Sequence, residues 1–147
     1  MKIVVTVAGL LWLSVVSAAP PEFEQHASRA RVNFALYCAG CHQMSGKGAP
    51  DVVPDLGEYL GQFAQNPASR SFLAQVPGAS SSPLSNADLA QVINWILYTM
   101  NEDQLRSDFK PYTTEEVAEY RKTPLLEVIP VRDALVEKIV HSYQAGK

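Results

Sequence analysis

Two cysteines and a histidine lie together in the run Cys38-Ala39-Gly40-Cys41-His42, and the chain has no other cysteine. The pattern C-x-x-C-H is typical of covalent haem attachment. The two thiols can add across the two vinyl groups of the porphyrin, and the adjacent imidazole can supply an axial nitrogen to the iron. The sequence therefore predicts one covalently bound haem c, held by Cys38 and Cys41, with His42 as an iron ligand.

Two other uses of this motif fit less well. A structural zinc site takes four ligands, whereas the motif offers three, and neither His26 nor His141 has the spacing of a fourth. A redox-active C-x-x-C pair would follow a strand in a βαβ unit. The residues that flank this motif have a helical pattern instead, so we favour haem attachment.

Residues 1–18 have the form of a cleavable secretory signal peptide. Lys2 precedes an apolar run from 3 to 16, and small residues end at Ala18. The apolar run is shorter than the roughly 20 residues that a membrane span needs, so no stable membrane anchor is expected. Haem is joined to such motifs outside the cytoplasm, and the sequence predicts a periplasmic protein whose residues 19–147 form one domain.

The chain is acidic, with a formal net charge of −3 over 147 residues. That charge argues against nucleic acid as a partner. Apolar residues at helical spacing lead directly into the motif, and no convincing alternating strand pattern is present. The members of this stripe are Phe23, Ala27, Ala30, Phe34 and Tyr37.

Further helices are predicted along the rest of the chain. Segments 56–64 and 67–75 have short helical patterns, whereas 43–56 and 76–83 are rich in Gly, Pro or Ser and predict loops. The clearest helix spans 85–100, with Ser85 as its N-cap.

Two more helices complete the prediction. Thr113 and Glu116 form a capping box for a helix through Arg121, and a final helix includes 131–140. The predicted fold class is all-α, a small helical domain around one haem with extra C-terminal helices.

Over about residues 27–122 the chain resembles the class I monohaem cytochromes c. The attachment motif carries the resemblance, and the glycine-containing run 41–48 and the sequence Pro54-Asp55-Leu56 are similar to family features that follow it. The resemblance implies that the Pro54 carbonyl accepts a hydrogen bond from the second ring nitrogen of His42. It also implies that the helix bearing Trp95 crosses the N-terminal helix beside the haem.

The second axial ligand is harder to assign. In the family it is usually a methionine in the loop before the Trp95 helix, yet the loop at 76–83 contains none. Met100, at the end of that helix, is the candidate we predict. Met44 lies too close to the haem-ligating histidine to reach the other haem face, His26 and His141 are further alternatives, and an open sixth position is the remaining one.

The expected function is electron transfer without substrate chemistry. The donor would be a periplasmic dehydrogenase and the acceptor another cytochrome or an oxidase. An open iron would instead bind a small ligand or peroxide, with His141 or Glu127 as a conceivable acid–base group. The extension 123–147 allows a third role, as a haem subunit of an oxidoreductase complex. Internal packing of its apolar part, Pro124–Pro130, is favoured over docking on a partner.

Overall fold

The structure is a computed structural model that describes residues 21–50 and 52–145. The predicted signal peptide, residues 1–18, lies outside the described residues. The predicted all-α fold is confirmed: the described residues form helices and one isolated bridge between Ala49 and Val53, but no strand. The helices are α1 (Pro21–Tyr37), α2 (Ala39–His42), α3 (Leu60–Gln65), α4 (Phe72–Gln75), α5 (Pro77–Ser80), α6 (Asn86–Met100), α7 (Thr114–Tyr120) and α8 (Val128–Ala145), with a 3-10 turn at Glu102–Gln104.

The main packing of the molecule is α1 against α6. Phe34 is fully buried, and its ring centroid lies 5.1 Å from that of Trp95 in a tilted arrangement. At the surface of the same contact, the Arg29 guanidinium donates to both carboxylate oxygens of Asp88, at 2.6 and 3.0 Å. The predicted meeting of the N-terminal helix with the Trp95 helix is therefore present.

Side-chain caps start the two helices whose beginnings were predicted most sharply. The Ser85 hydroxyl accepts a hydrogen bond from the Asp88 amide at the start of α6. Thr113 and Glu116 form the predicted capping box at the start of α7. Both caps satisfy amide groups that have no partner within the helix, so each element begins where the sequence indicates.

Three predicted boundaries differ from the structure because local turns compete with helix. The helix expected at 56–64 begins at Leu60, since the Asp55 carboxylate accepts from the Gly57 amide at 2.7 Å and holds a turn there. The helix expected from 67 begins only at Phe72, since the Asn66 side chain accepts from the Ala68 amide at 2.9 Å. The loop expected at 76–83 contains the single-turn helix α5.

The C-terminal extension packs partly on the core and leaves other apolar side chains exposed. Near the start of the extension, the Leu125 amide donates a hydrogen bond to the Gln75 carbonyl at 2.9 Å. Ile139 of α8 is buried, whereas Leu126 is 91% exposed and Ile129 72% exposed. No described helix is long and apolar enough to cross a membrane.

The loop from 43 to 59 depends on Gly48, whose φ of +64° lies in the left-handed region. A Cβ at this residue would lie 2.2 Å from the Val53 carbonyl oxygen and 2.7 Å from that of Pro54. The Gly48 amide donates to the His42 carbonyl at 3.1 Å, and its carbonyl accepts from the Gln43 side chain at 2.7 Å. Only glycine combines this φ with so close an approach of two backbone segments.

Replacing Phe34 by alanine tests the α1–α6 packing. We expect F34A to lower the free energy of unfolding by about 3–5 kcal/mol, because it removes a fully buried aromatic ring. Denaturant unfolding of the holoprotein measures this loss. The control is L36A on the same helix, where the side chain is 66% exposed and the change should stay within about 0.5 kcal/mol. Equal losses in both variants would contradict the packing described.

Replacing Gly48 by alanine tests the loop. We expect G48A to cost about 1–3 kcal/mol from its backbone conformation alone, with the clash against the Val53 carbonyl adding to the loss. The control is G40A, since that glycine is helical and a Cβ there meets nothing within 4 Å. For each variant, the shift of the urea midpoint at constant m-value measures the change in the free energy of unfolding. A G48A midpoint equal to that of G40A would contradict the loop geometry.

Candidate functional site

The C-x-x-C-H motif lies on α2, which continues almost directly from α1. The Cys38 amide donates to the Phe34 carbonyl at 2.9 Å, and the His42 amide donates to the Cys38 carbonyl at 3.0 Å. The backbone thus turns once through the motif and presents Cys38, Cys41 and His42 close together. Both cysteines are free thiols, Cys38 half-buried and Cys41 exposed. Burial raises the pKa of the Cys38 thiol.

His42 is oriented by the far end of the following loop. Its Nδ1 lies 3.2 Å from the carbonyl oxygen of Pro54. Because a carbonyl only accepts, the contact places the proton on Nδ1 and leaves the lone pair of Nε2 for another partner. Burial lowers the pKa of His42, more than the Pro54 carbonyl raises it. Burial therefore favours the neutral form of the ring, which is the form that binds a metal.

Above the motif lies an apolar cavity of about 410 Å³, here called the motif cavity. One wall consists of Tyr37, the attachment residues Cys38, Cys41 and His42, and the segment from Val52 to Leu56. A second wall comes from residues 72–82, and α6 adds Leu89, Val92, Ile93 and Ile96. The volume lies within the 300–1,000 Å³ that is usual for a ligand or cofactor site.

The residues of the motif cavity fit a covalent haem. Both thiols and the His42 ring border the same space, and the remaining walls are mostly aliphatic, as a flat apolar ring requires. The histidine also has the hydrogen-bonded second nitrogen that metal-bound imidazoles usually show. By contrast, the described residues hold no group of three or more His, Cys, Asp or Glu side chains that could bind a metal ion by themselves. The described residues therefore do not form the zinc site considered as an alternative.

Among the described lining residues, Arg132 of α8 is the only one with a permanently charged side chain. Its guanidinium lies 3.2 Å from the Glu58 carboxylate and 6.0 Å from the centroid of the Tyr59 ring. Val128 of the same helix also lines the cavity. The C-terminal extension therefore contributes directly to the site, with a cation whose charge is balanced by a neighbouring acid.

Met100 does not line the motif cavity. Its thioether packs on Gly46 instead, where a Cβ would lie 2.7 Å from Met100 Sδ. The position follows from the helix, because Met100 ends the buried stripe of α6 and its side chain meets the loop beneath the motif. Met100 as an iron ligand stays a prediction that this arrangement does not favour.

The other predicted ligand or acid–base residues also lie away from the motif cavity. Met44 is 44% exposed. His26 lines a second cavity of about 410 Å³, bordered by Phe23, α6 and residues 111–115. His141 is exposed on α8, 3.7 Å from the Glu137 carboxylate. Glu127 is exposed and does not line the cavity either.

Arg121 is a structural residue of the site that the sequence did not single out. From the end of α7, its guanidinium donates to the carbonyls of Ser80 at 3.1 and 3.2 Å, of Ser82 at 2.7 Å and of Leu84 at 2.8 Å. These bonds hold the segment after α5 against the cavity. Nothing in the spacing of Arg121 indicates this role, since these acceptors are backbone oxygens.

The chain is similar to two curated proteins. It is 28% identical over 106 residues to a cytochrome c-552 from Thermus thermophilus, and the alignment covers 60% of this chain and 81% of that protein. A second cytochrome c-552 from Thermus thermophilus is also 28% identical over 106 residues. That alignment covers 60% of this chain and 72% of the second protein. No family model matches the chain, and no solved structure matches it significantly. Together with the C-x-x-C-H motif, the two matches support a c-type cytochrome.

Proposed function

We propose that this chain is a periplasmic electron carrier with one haem c, attached through Cys38 and Cys41. It would pass electrons from a dehydrogenase to a downstream cytochrome or oxidase. One observation carries the proposal: Cys38, Cys41 and the oriented ring of His42 border one apolar cavity. The similarity to two cytochromes c-552 supports the same class of function.

Each residue of the motif has a defined task. The Cys38 and Cys41 thiols would each add across one vinyl group, so that a sulfur–carbon bond would form and the thiol hydrogen would go to the neighbouring vinyl carbon. His42 would bind iron through Nε2 while its Nδ1–H donates to the Pro54 carbonyl. A haem held in this way supplies a one-electron couple between ferric and ferrous iron.

The walls of the motif cavity would set the conditions for that couple. Aliphatic side chains from α6, such as Val92 and Ile96, are buried and exclude water from the space. Burial in a low-dielectric site disfavours the more highly charged ferric state and so raises the reduction potential.

Electron exchange needs an accessible edge of the cavity, and Val52 marks it. This residue lines the motif cavity and is 81% exposed, so the cavity reaches the surface there. An exposed apolar side chain beside an opening suits transient docking of a redox partner. The exposed Leu126 and Ile129 of the extension offer further apolar area.

Serine substitution of both motif cysteines tests haem attachment. We expect the protein matured in a periplasm to keep its haem through denaturing electrophoresis, and the C38S/C41S variant to lose it, because only thioether bonds survive unfolding. One readout is haem staining of the gel. The other is the absorption spectrum, which should change on reduction with dithionite and return on oxidation with ferricyanide. M44L, a change outside the cavity, should match the unmodified protein. Covalent haem in C38S/C41S, or none in the unmodified protein, would contradict the proposal.

A further inference from the structure

The motif cavity brings together few side chains that can bind iron. Thioether, imidazole, thiolate and phenolate are the usual protein ligands. Among the described residues that line the cavity, such groups occur only on Tyr37, Cys38, Cys41 and His42. Three of these belong to the attachment motif, and Tyr37 directly precedes it on the same stretch of chain. The described part of the wall formed by residues 72–82 offers no thioether or imidazole.

The other methionines and histidines of the described residues do not line the motif cavity. Met100 Sδ packs on Gly46, His26 borders the second cavity, and His141 is exposed beside Glu137. Each would have to leave its present contacts to enter the motif cavity. The structure therefore provides His42 as an iron ligand and no matching ligand across the cavity among the described residues.

The wall at 76–82 is also built from small side chains. Ala79, which is half-buried, borders the cavity. Pro77, Gly78 and Ser82 border it as well. Gly78 is exposed, and a Cβ built on it would meet nothing within 4 Å. None of these four residues carries a side-chain group that usually binds haem iron.

Arg121 keeps this wall in place. Its bonds to the carbonyls of Ser80, Ser82 and Leu84 tie both the end of α5 and the approach to α6 to one guanidinium. The Ser82 hydroxyl adds a bond to the Ala79 carbonyl at 2.9 Å. A segment held by so many backbone contacts cannot easily collapse into the space beside it.

We propose that His42 is the only protein ligand of the iron, and that the open position faces the wall at 76–82 and binds a small neutral diatomic ligand. The proposal rests on the proposed haem attachment and adds a ligand site to it. A neutral ligand is favoured because the cavity is aliphatic and its one lining cation among the described residues, Arg132, is paired with Glu58. Carbon monoxide is the probe of this class, since it binds ferrous haem that has a free coordination position.

The test uses the mature holoprotein and its M100L variant. We expect a high-spin ferric spectrum and rapid carbon monoxide binding after reduction with dithionite, unchanged in M100L. A low-spin reduced protein that does not bind carbon monoxide would overturn the proposal. If the unmodified protein were inert and only M100L bound carbon monoxide, Met100 would be the sixth ligand. If M100L were inert as well, another side chain would be the sixth ligand. A ferric spectrum that changes in Y37F would also overturn the proposal, in favour of Tyr37.

A second variant tests which wall the open position faces. A79M introduces a thioether into the wall at 76–82 and should convert the iron to low spin, raising the dissociation constant for carbon monoxide by about tenfold or more. The control is A118M on α7, a half-buried alanine that does not line the cavity. Unchanged affinity in an A79M protein with a full complement of haem would overturn the assignment to this wall. Retention of haem on a denaturing gel keeps these outcomes separate from failure of the proposed haem attachment.

Discussion

The hydrogen bond between His42 Nδ1 and the Pro54 carbonyl joins the two ends of the loop beneath the motif cavity. It decides which ring nitrogen carries the proton, and so which one can bind iron. The bond exists only because the loop folds back on itself at Gly48, where the backbone of Val53 approaches too closely for a side chain. Orientation of His42, the proposed iron ligand, therefore rests on a glycine outside the C-x-x-C-H motif.

The opposite side of the cavity is supported in a different way. There the polypeptide is held by Arg121, which donates to successive backbone carbonyls, and by the hydroxyl of Ser82. Neither group provides chemistry at the site. Their effect is to keep an aliphatic wall of small residues at a distance from His42. If the proposed site has one strong ligand and one open, apolar side, it can exchange electrons and also admit a small molecule.

The two capped helices and the candidate attachment residues could be named from the sequence because these features are local. Ser85 and Thr113 cap helices through residues only three positions away, and C-x-x-C-H is contiguous. The course of residues 66–82 was harder to predict, since an Asn66 side-chain bond delays α4 and the turn α5 interrupts an expected loop. The part played by Arg121 and Arg132 was not predictable, because their partners lie far away in the chain.

The most direct test of the account is where the porphyrin lies. In the reduced holoprotein under carbon monoxide, the iron is diamagnetic whether its sixth ligand is a side chain or carbon monoxide. Proton NMR can then report the ring current of the porphyrin at nearby side chains. The account predicts that methyl resonances of Leu73, Val76 and Ala79, which line the motif cavity, are displaced far from their usual range. Those of Ala27 and Ala87 in the second cavity should be normal. Displaced resonances in the second cavity, or none in the motif cavity, would contradict it.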